Sequence, residues 1–486
     1  MTQARVEVRQ WPSYIASKPW TGPVTMDVTH PGDDSVVGTV CVPDADAIER
    51  ALQAAWDVRA AARATSAATR ADALMHISSR LAERVDEVAA LITAENGKPI
   101  TWAKAEASRA VSTFRWAAEE ARRFNGEFQR LDTEKATERR AAIIRRFPYG
   151  PVLGISPFNF PINLVAHKVA PAIAVGAPVV VKPAPATPLG ALLLGELLAE
   201  TDLPEGMFSV LPVGNDVAPQ LVDDPRLPVI SFTGSEPVGF AIKRAAAQKH
   251  VILELGGNAA AIVLADYSSD DDLAWAAQRI AMYGNSQAGQ TCVSVQRVFV
   301  EEAIAEKFLP VLIAAVAAQP SGDVWDPATV VGPVISAAAA DRVVEWIEEA
   351  TQSGATLLTG GTRNGTFIDA TLLANVPATC RVACEEVFGP VMSVQTISSL
   401  DEGIGIVNDS RFGLQTGVFT HDIQQIFHAH RELEVGGVVI GDAPTFRADQ
   451  MPYGGIKASG TGREGLRFAM QDYTFDKVLV MTDLDL

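Results

Sequence analysis

Ser231-Phe232-Thr233-Gly234-Ser235, leading on to Gly239, ends an apolar run that begins at Val229 and opens a polar, helix-like stretch. Further along, Val251-Ile252-Leu253-Glu254-Leu255-Gly256-Gly257 repeats the change from apolar strand to glycine-marked turn. Outward from this pair the same rhythm holds at Val152–Ile155, Val179–Lys182, 208–212 and 261–264, each short apolar run being separated from the next by a helical pattern. Strands and helices that alternate in this way build a parallel sheet covered by helices, so the fold class is α/β. After Cys292 a second set of candidate strands, near 295–300, 356–358, 391–396, 416–419 and Gly437–Ile440, predicts a second α/β unit.

The 486-residue chain is too long for one ordinary core, which implies at least two domains. Hydrophobic residues make up 48% and no apolar run reaches spanning length, so no membrane helix is expected. Residues 1–20 show no signal-peptide core, and the four cysteines, Cys41, Cys292, Cys380 and Cys384, form no disulfide pattern; a reducing, cytoplasmic setting follows. No histidine lies near Cys380 and Cys384, and His428 and His430 beside Glu432 read as solvated surface, so no metal site is predicted. A net charge of −18 without a basic patch excludes nucleic acid as a partner. It leaves a small anionic substrate open, because an arginine inside a pocket outweighs a screened distant surface.

Before the first of these strands the pattern is helical from Asp44 to about Arg123. Asp44 can cap the start, Ile48, Leu52, Ala55 and Trp56 share one face, a second helix runs over 71–95, and Asn96-Gly97-Lys98-Pro99 supplies a left-handed stop. The charged stretch 125–146 ends in the strand-like Ile143-Ile144-Arg145-Arg146-Phe147 and reads as an arm. The closing run, 475–481, is a strand without a partner nearby in sequence, and pairing with a neighbouring subunit is the expectation.

Cys292 in Gly289-Gln290-Thr291-Cys292 and Glu254 offer a nucleophile and a base, although either alone would read as an ordinary buried residue. The turn at Gly234 and Ser235 presents backbone N–H groups to an anion, but lacks the usual G-x-G-x-x-G pattern. Lys182 leaves the carboxyl end of a strand, where ligands bind in such sheets. In Ser156-Pro157-Phe158-Asn159-Phe160-Pro161 the prolines and aromatics fix a turn whose Asn159 can donate to an oxyanion or simply shape the turn.

Together with Glu385-Glu386-Val387-Phe388-Gly389-Pro390 and Pro452-Tyr453-Gly454-Gly455-Ile456-Lys457, these segments resemble the aldehyde dehydrogenase superfamily over nearly the whole chain. The resemblance implies a Rossmann-type cofactor domain (1–123 and 147–254), an α/β catalytic domain (255–465) and a small β oligomerisation arm (124–146 and 466–486) in a homodimer or homotetramer. It implies that Cys292 attacks an aldehyde, that Asn159 and the Cys292 N–H hold the oxyanion, that hydride passes to NAD(P)+, and that Glu254, assisted by Lys168, activates the water that releases the acid. Ser156, Phe158, Lys182, Gly234, Ser235, Leu255, Glu386 and Phe388 are the implied cofactor contacts, with Glu386 at the nicotinamide ribose and Lys182 at the adenosine ribose. Pro185 stands where many NAD-preferring members carry an acid, so NADP+ is expected to be accepted; Glu236 puts an unusual charge next to the pyrophosphate turn. Asn163, His167, Thr291, Phe446 and Arg447 match positions around the aldehyde, which favours a small polar or anionic substrate, Arg447 pairing with its anion or else with Asp442 or Asp449. Alternatives are an aromatic aldehyde in a slot of Phe158, Tyr283 and Phe446, a nucleotide-binding protein without turnover, and a predominant ester or thioester hydrolase.

Overall fold

The computed structural model describes residues 6–483, so residues 1–5 and 484–486 of the expected terminal segments lie outside the described residues. Asp44 accepts the Ala47 N–H at 2.8 Å and starts Ala45–Ala64, whose buried face carries Ile48, Leu52 and Ala55. The helix expected over 71–95 is two helices, Ala67–Glu83 and Val85–Asn96, parted at Arg84 (φ −113°, ψ 19°). Arg84 is held by Glu87, three residues on, and by Glu196, at 2.8 and 2.9 Å, the second a contact that no local pattern announces. Gly97 takes the left-handed conformation (φ 70°), and Ile100–Arg123 follows Pro99.

The first large sheet runs Gly460–Thr461, His250–Glu254, Val229–Thr233, Val152–Ile155, Val179–Lys182, Phe208–Val210, Ser13–Ile15, Lys18–Trp20. Its five central strands are parallel. Val179 and Val181 face one apolar layer while Val180 faces the other, the period of two expected of a strand covered on both sides. Strand order reverses between Val152–Ile155 and Val229–Thr233, so the turns at Ser156 and Gly234 open side by side at the switch point where such sheets bind ligands.

The second sheet runs Thr356–Thr359, Thr371–Ala374, Val391–Ile397, Arg297–Glu301, Ala260–Val263, Gln415–Phe419, Gly437–Ile440, all parallel except the first. Between its last strand and the terminal strand the chain returns to the first sheet, adding Gly460–Thr461 antiparallel to His250–Glu254. The helix Leu466–Asp472 that follows buries Leu466 and Met470 in the layer beneath that sheet.

The terminal strand, Thr474–Thr482, corrects an expectation. It pairs antiparallel with Arg140–Pro148 of its own chain over its whole length, and Glu127–Arg130 completes a three-stranded sheet. The partner was hidden by sequence separation, not missing. Phe128, Val478, Leu479 and Val480 remain exposed on this sheet. Among the described residues no helix is long and apolar enough to cross a membrane.

Candidate active site

The two sheets aim their carboxyl ends at one cavity of about 570 Å³. The first sheet delivers Asn159 from the turn after Ile155, Gly234 and Ser235 from the turn after Thr233, and Glu254 from the end of its own strand. Thr291 and Cys292 come from the loop ahead of Arg297–Glu301, and Glu386 and Phe388 from the segment before Val391–Ile397.

Backbone strain positions the cysteine loop. Gln287 and Ala288 are both left-handed (φ 53°), a region that costs a non-glycine residue about 1–2 kcal/mol. The Gln287 side chain donates to the Asn159 carbonyl and to Asn96 Oδ1 (3.2 Å), while Asn96 donates to the Phe158 carbonyl (2.8 Å). Glu106, ion-paired to Lys98 in full burial, accepts the Ile162 and Asn163 N–H groups at 3.1 and 3.2 Å. Cysteine loop and asparagine turn are thereby pinned to one another from below.

Asn159 Nδ2 donates to the Gln290 carbonyl at 2.9 Å; an amide carries two such protons, so one donor remains for a ligand oxygen. Cys292 Sγ lies 2.9 Å from the Tyr453 hydroxyl. Burial pushes the thiol up to about 11, against the lowering effect of that hydrogen bond. Glu254 is buried with neither carboxylate oxygen hydrogen-bonded, and burial, followed by the nearby Glu464 charge, raises its pKa well above the ordinary carboxylate range. Room for it comes from Gly454, where a Cβ would sit 3.0 Å from Glu254 Oε1.

Behind these groups lies a buried chain of charge. Arg447 donates to Glu464 at 2.8 Å, contacts His167 at 3.1 Å, and stacks 4.1 Å over the Tyr453 ring. His167 and Arg109 both reach Asp449, at 3.4 and 3.1 Å, and Lys168 donates to Thr233 (2.6 Å) and lies 3.5 Å from Glu464. Burial opposes ionisation of Glu464, but Arg447 and Lys168 overcome it and hold the carboxyl down at about 2. Burial and the Arg447 charge lower His167, which favours the neutral ring. Neither Asp442 nor Asp449 is the partner of Arg447; Asp442 is taken by Arg279 at 2.6 Å.

The other end of the cavity fits a dinucleotide. Ser235 precedes Glu236–Ala245 without a side-chain cap, leaving the first N–H groups of that helix for an anion. The Glu386 carboxylate occupies the space a Cβ on Gly256 would fill, accepts the Gly257 N–H at 3.1 Å, and is raised by burial to about 7. Glu236 is paired with Arg411 at 2.9 Å, which disposes of the repulsion expected of its charge. Lys182 donates to Asn215 at 2.9 Å; burial lowers it to about 8 against the charge of Asp216, an acid that the local reading around Pro185 could not anticipate.

The aldehyde dehydrogenase family description matches residues 20–479. The chain belongs to the aldehyde dehydrogenase family. It is an NAD(P)-dependent aldehyde oxidoreductase. A 3-sulfolactaldehyde dehydrogenase of Priestia aryabhattai is 38% identical over 476 residues, 98% of each chain. The solved structure of aldehyde dehydrogenase 21 from Physcomitrella patens, in complex with its product succinate, is 41% identical with a TM-score of 0.96, covering 99% of this chain and 100% of that one. An NADP-dependent glyceraldehyde-3-phosphate dehydrogenase from Bacillus halodurans C-125, solved with NADP, is 32% identical with a TM-score of 0.93, covering 97% and 99%.

In this aldehyde dehydrogenase Asn159, Asn163, Glu254, Leu255, Thr291, Cys292 and Arg447 share the cavity wall with Phe158, Gly234, Ser235, Glu386 and Phe388. Lys168 and His167 are buried behind that wall, and Ser156 and Lys182 are buried at their strand ends. Phe446 departs from expectation: it is exposed and does not line the cavity, while its carbonyl accepts from the buried Gln415 side chain. The aromatic slot is not assembled either, since Tyr283 packs against Trp102 and Arg279 away from the cavity. Arg109, Tyr453 and Glu464 were missed, each lying in a segment read for another purpose.

Proposed function

We propose that the enzyme oxidises a small anionic aldehyde, a semialdehyde carboxylate or a sulfonated aldehyde, to the acid. The observation that carries this reading is a pair of arginines, Arg109 and Arg447, on the same cavity wall as Cys292. The Arg447 side chain is 8% exposed and held by Glu464, which fixes its positive charge in the cavity lining beside the substrate. The relatives' substrates agree: one is named for a sulfonated aldehyde, and another holds the dicarboxylate succinate.

In this reading Cys292 Sγ attacks the aldehyde carbon and the oxygen becomes an alkoxide that accepts from the free proton of Asn159. NAD(P)+, when bound, would supply the hydride acceptor that this carbon needs. Ser235 and the helix start after it would hold the pyrophosphate, Glu386 the nicotinamide ribose and Lys182 the adenosine ribose. Glu254 takes a proton from the water that cleaves the thioester, burial having raised its carboxylate's affinity for that proton. NADP+ use follows from Pro185, with Asp216 as the carboxylate that limits the preference. The exposed apolar sheet around Val478 to Val480 is the contact through which two copies assemble, in the cytoplasm.

Initial rates with both cofactors, on a four-carbon semialdehyde carboxylate, a sulfonated three-carbon aldehyde, butanal and benzaldehyde, test the proposal. Higher kcat/KM for the two anions supports it; equal or higher values for benzaldehyde would overturn it.

A further inference from the structure

The contact between Cys292 and Tyr453 has no part in the mechanism above. Tyr453 is 4% exposed, and its strand-like bridge to Glu464 is made by two backbone hydrogen bonds, Tyr453 N–H to the Glu464 carbonyl at 3.0 Å and the reverse at 2.7 Å. Its ring packs with Val293 and Leu414, and Arg447 covers its face. A ring held on three sides cannot swing away, so its hydroxyl is aimed at the sulfur by packing as well as by the hydrogen bond itself.

We propose that Tyr453 is a further catalytic residue: its phenol fixes the Cys292 sulfur and donates a hydrogen bond to the thiolate. The inference rests on the reading of Cys292 as nucleophile. Around the sulfur, Glu254 and Glu386 disfavour an anion, whereas Arg447 and the Tyr453 hydroxyl favour it. Among these the hydroxyl is the group in contact with sulfur. Burial raises the phenol well above its ordinary value, so it keeps its proton and acts as donor. The thiol proton leaves to solvent. As the S–C bond forms from a sulfur lone pair, the carbonyl π pair moves to oxygen, and the charge that Tyr453 stabilised shifts to the oxygen facing Asn159.

Alkylation of Cys292 by iodoacetamide across pH, read by peptide mass spectrometry, tests this in the wild type and in Tyr453→Phe, which keeps the ring and the Arg447 stack. The pH midpoint should rise by about one unit in the variant, with about tenfold slower alkylation at pH 7. The acid limb of kcat/KM should move with it while cofactor affinity stays the same. Incorporation of 2,3-difluorotyrosine at position 453, a stronger donor of the same shape, should move the midpoint downward. An unchanged midpoint in both variants overturns the proposal. Cys292→Ser separates the two readings: full oxidation without the sulfur defeats the nucleophile itself, whereas loss of oxidation with normal alkylation in Tyr453→Phe removes Tyr453 alone.

Discussion

At the residue scale, the site sets acids of opposite character side by side. Glu464 is held ionised by Arg447 and Lys168, while Glu254 is kept protonated to higher pH by burial and by Glu464 itself. A carboxyl whose folded pKa is raised carries no penalty below its unfolded value; the cost develops as pH climbs from there through the raised value. Glu254→Gln should therefore stabilise the protein more at pH 8 than at pH 4.5, as thermal unfolding at the two pH values will show, and should leave a burst of cofactor reduction followed by slow turnover. Arg447→Ala should cut kcat/KM for anionic aldehydes about 100-fold and for uncharged ones by less than about tenfold, in steady-state assays on matched substrates. Cys292, Glu254 and Asn159 were legible because glycine and proline punctuate the turns that carry them. Arg109 and Glu464 were not, since each looks like an ordinary surface charge until the fold buries its surroundings.

Element by element, the parallel strands announced themselves through runs such as Val179-Val180-Val181, apolar because both faces are covered. Short pieces escaped: Ser13–Ile15 and Gly460–Thr461 have too few residues to show a period and exist because a neighbouring edge receives them. The break at Arg84 escaped because one of the partners of Arg84, Glu196, is distant in sequence, and the terminal strand's partner because about 330 positions separate the two in the chain. The turn at Gly256 invites a direct test. A Cβ there would fall within 2.2 Å of the Glu386 carboxylate, a flexible side-chain end, so Gly256→Ala should displace Glu386 and leave the fold intact. Dinucleotide binding by titration calorimetry should weaken by about 10- to 100-fold, the loss of a charge-assisted hydrogen bond, with the melting temperature of the unliganded protein little changed.

On the scale of the whole molecule, one cavity is shared by two sheets, so chemistry depends on how firmly they are joined. The proposed assembly through Val478 to Val480 gives a prediction here: Leu479→Lys should leave a single copy in sedimentation while sparing its spectrum, because the side chain is exposed in the isolated chain. The joint between the sheets is double. The chain crosses once between His250–Glu254 and Ala260–Val263, and crosses back to lay Gly460–Thr461 along the first edge, where the Leu255 N–H also meets the Ser459 carbonyl at 3.0 Å. A protease nick engineered into the outward crossover would therefore free no fragment under native conditions. The severed halves would stay sutured by the homeward thread, travel as one particle, and come apart only in denaturant.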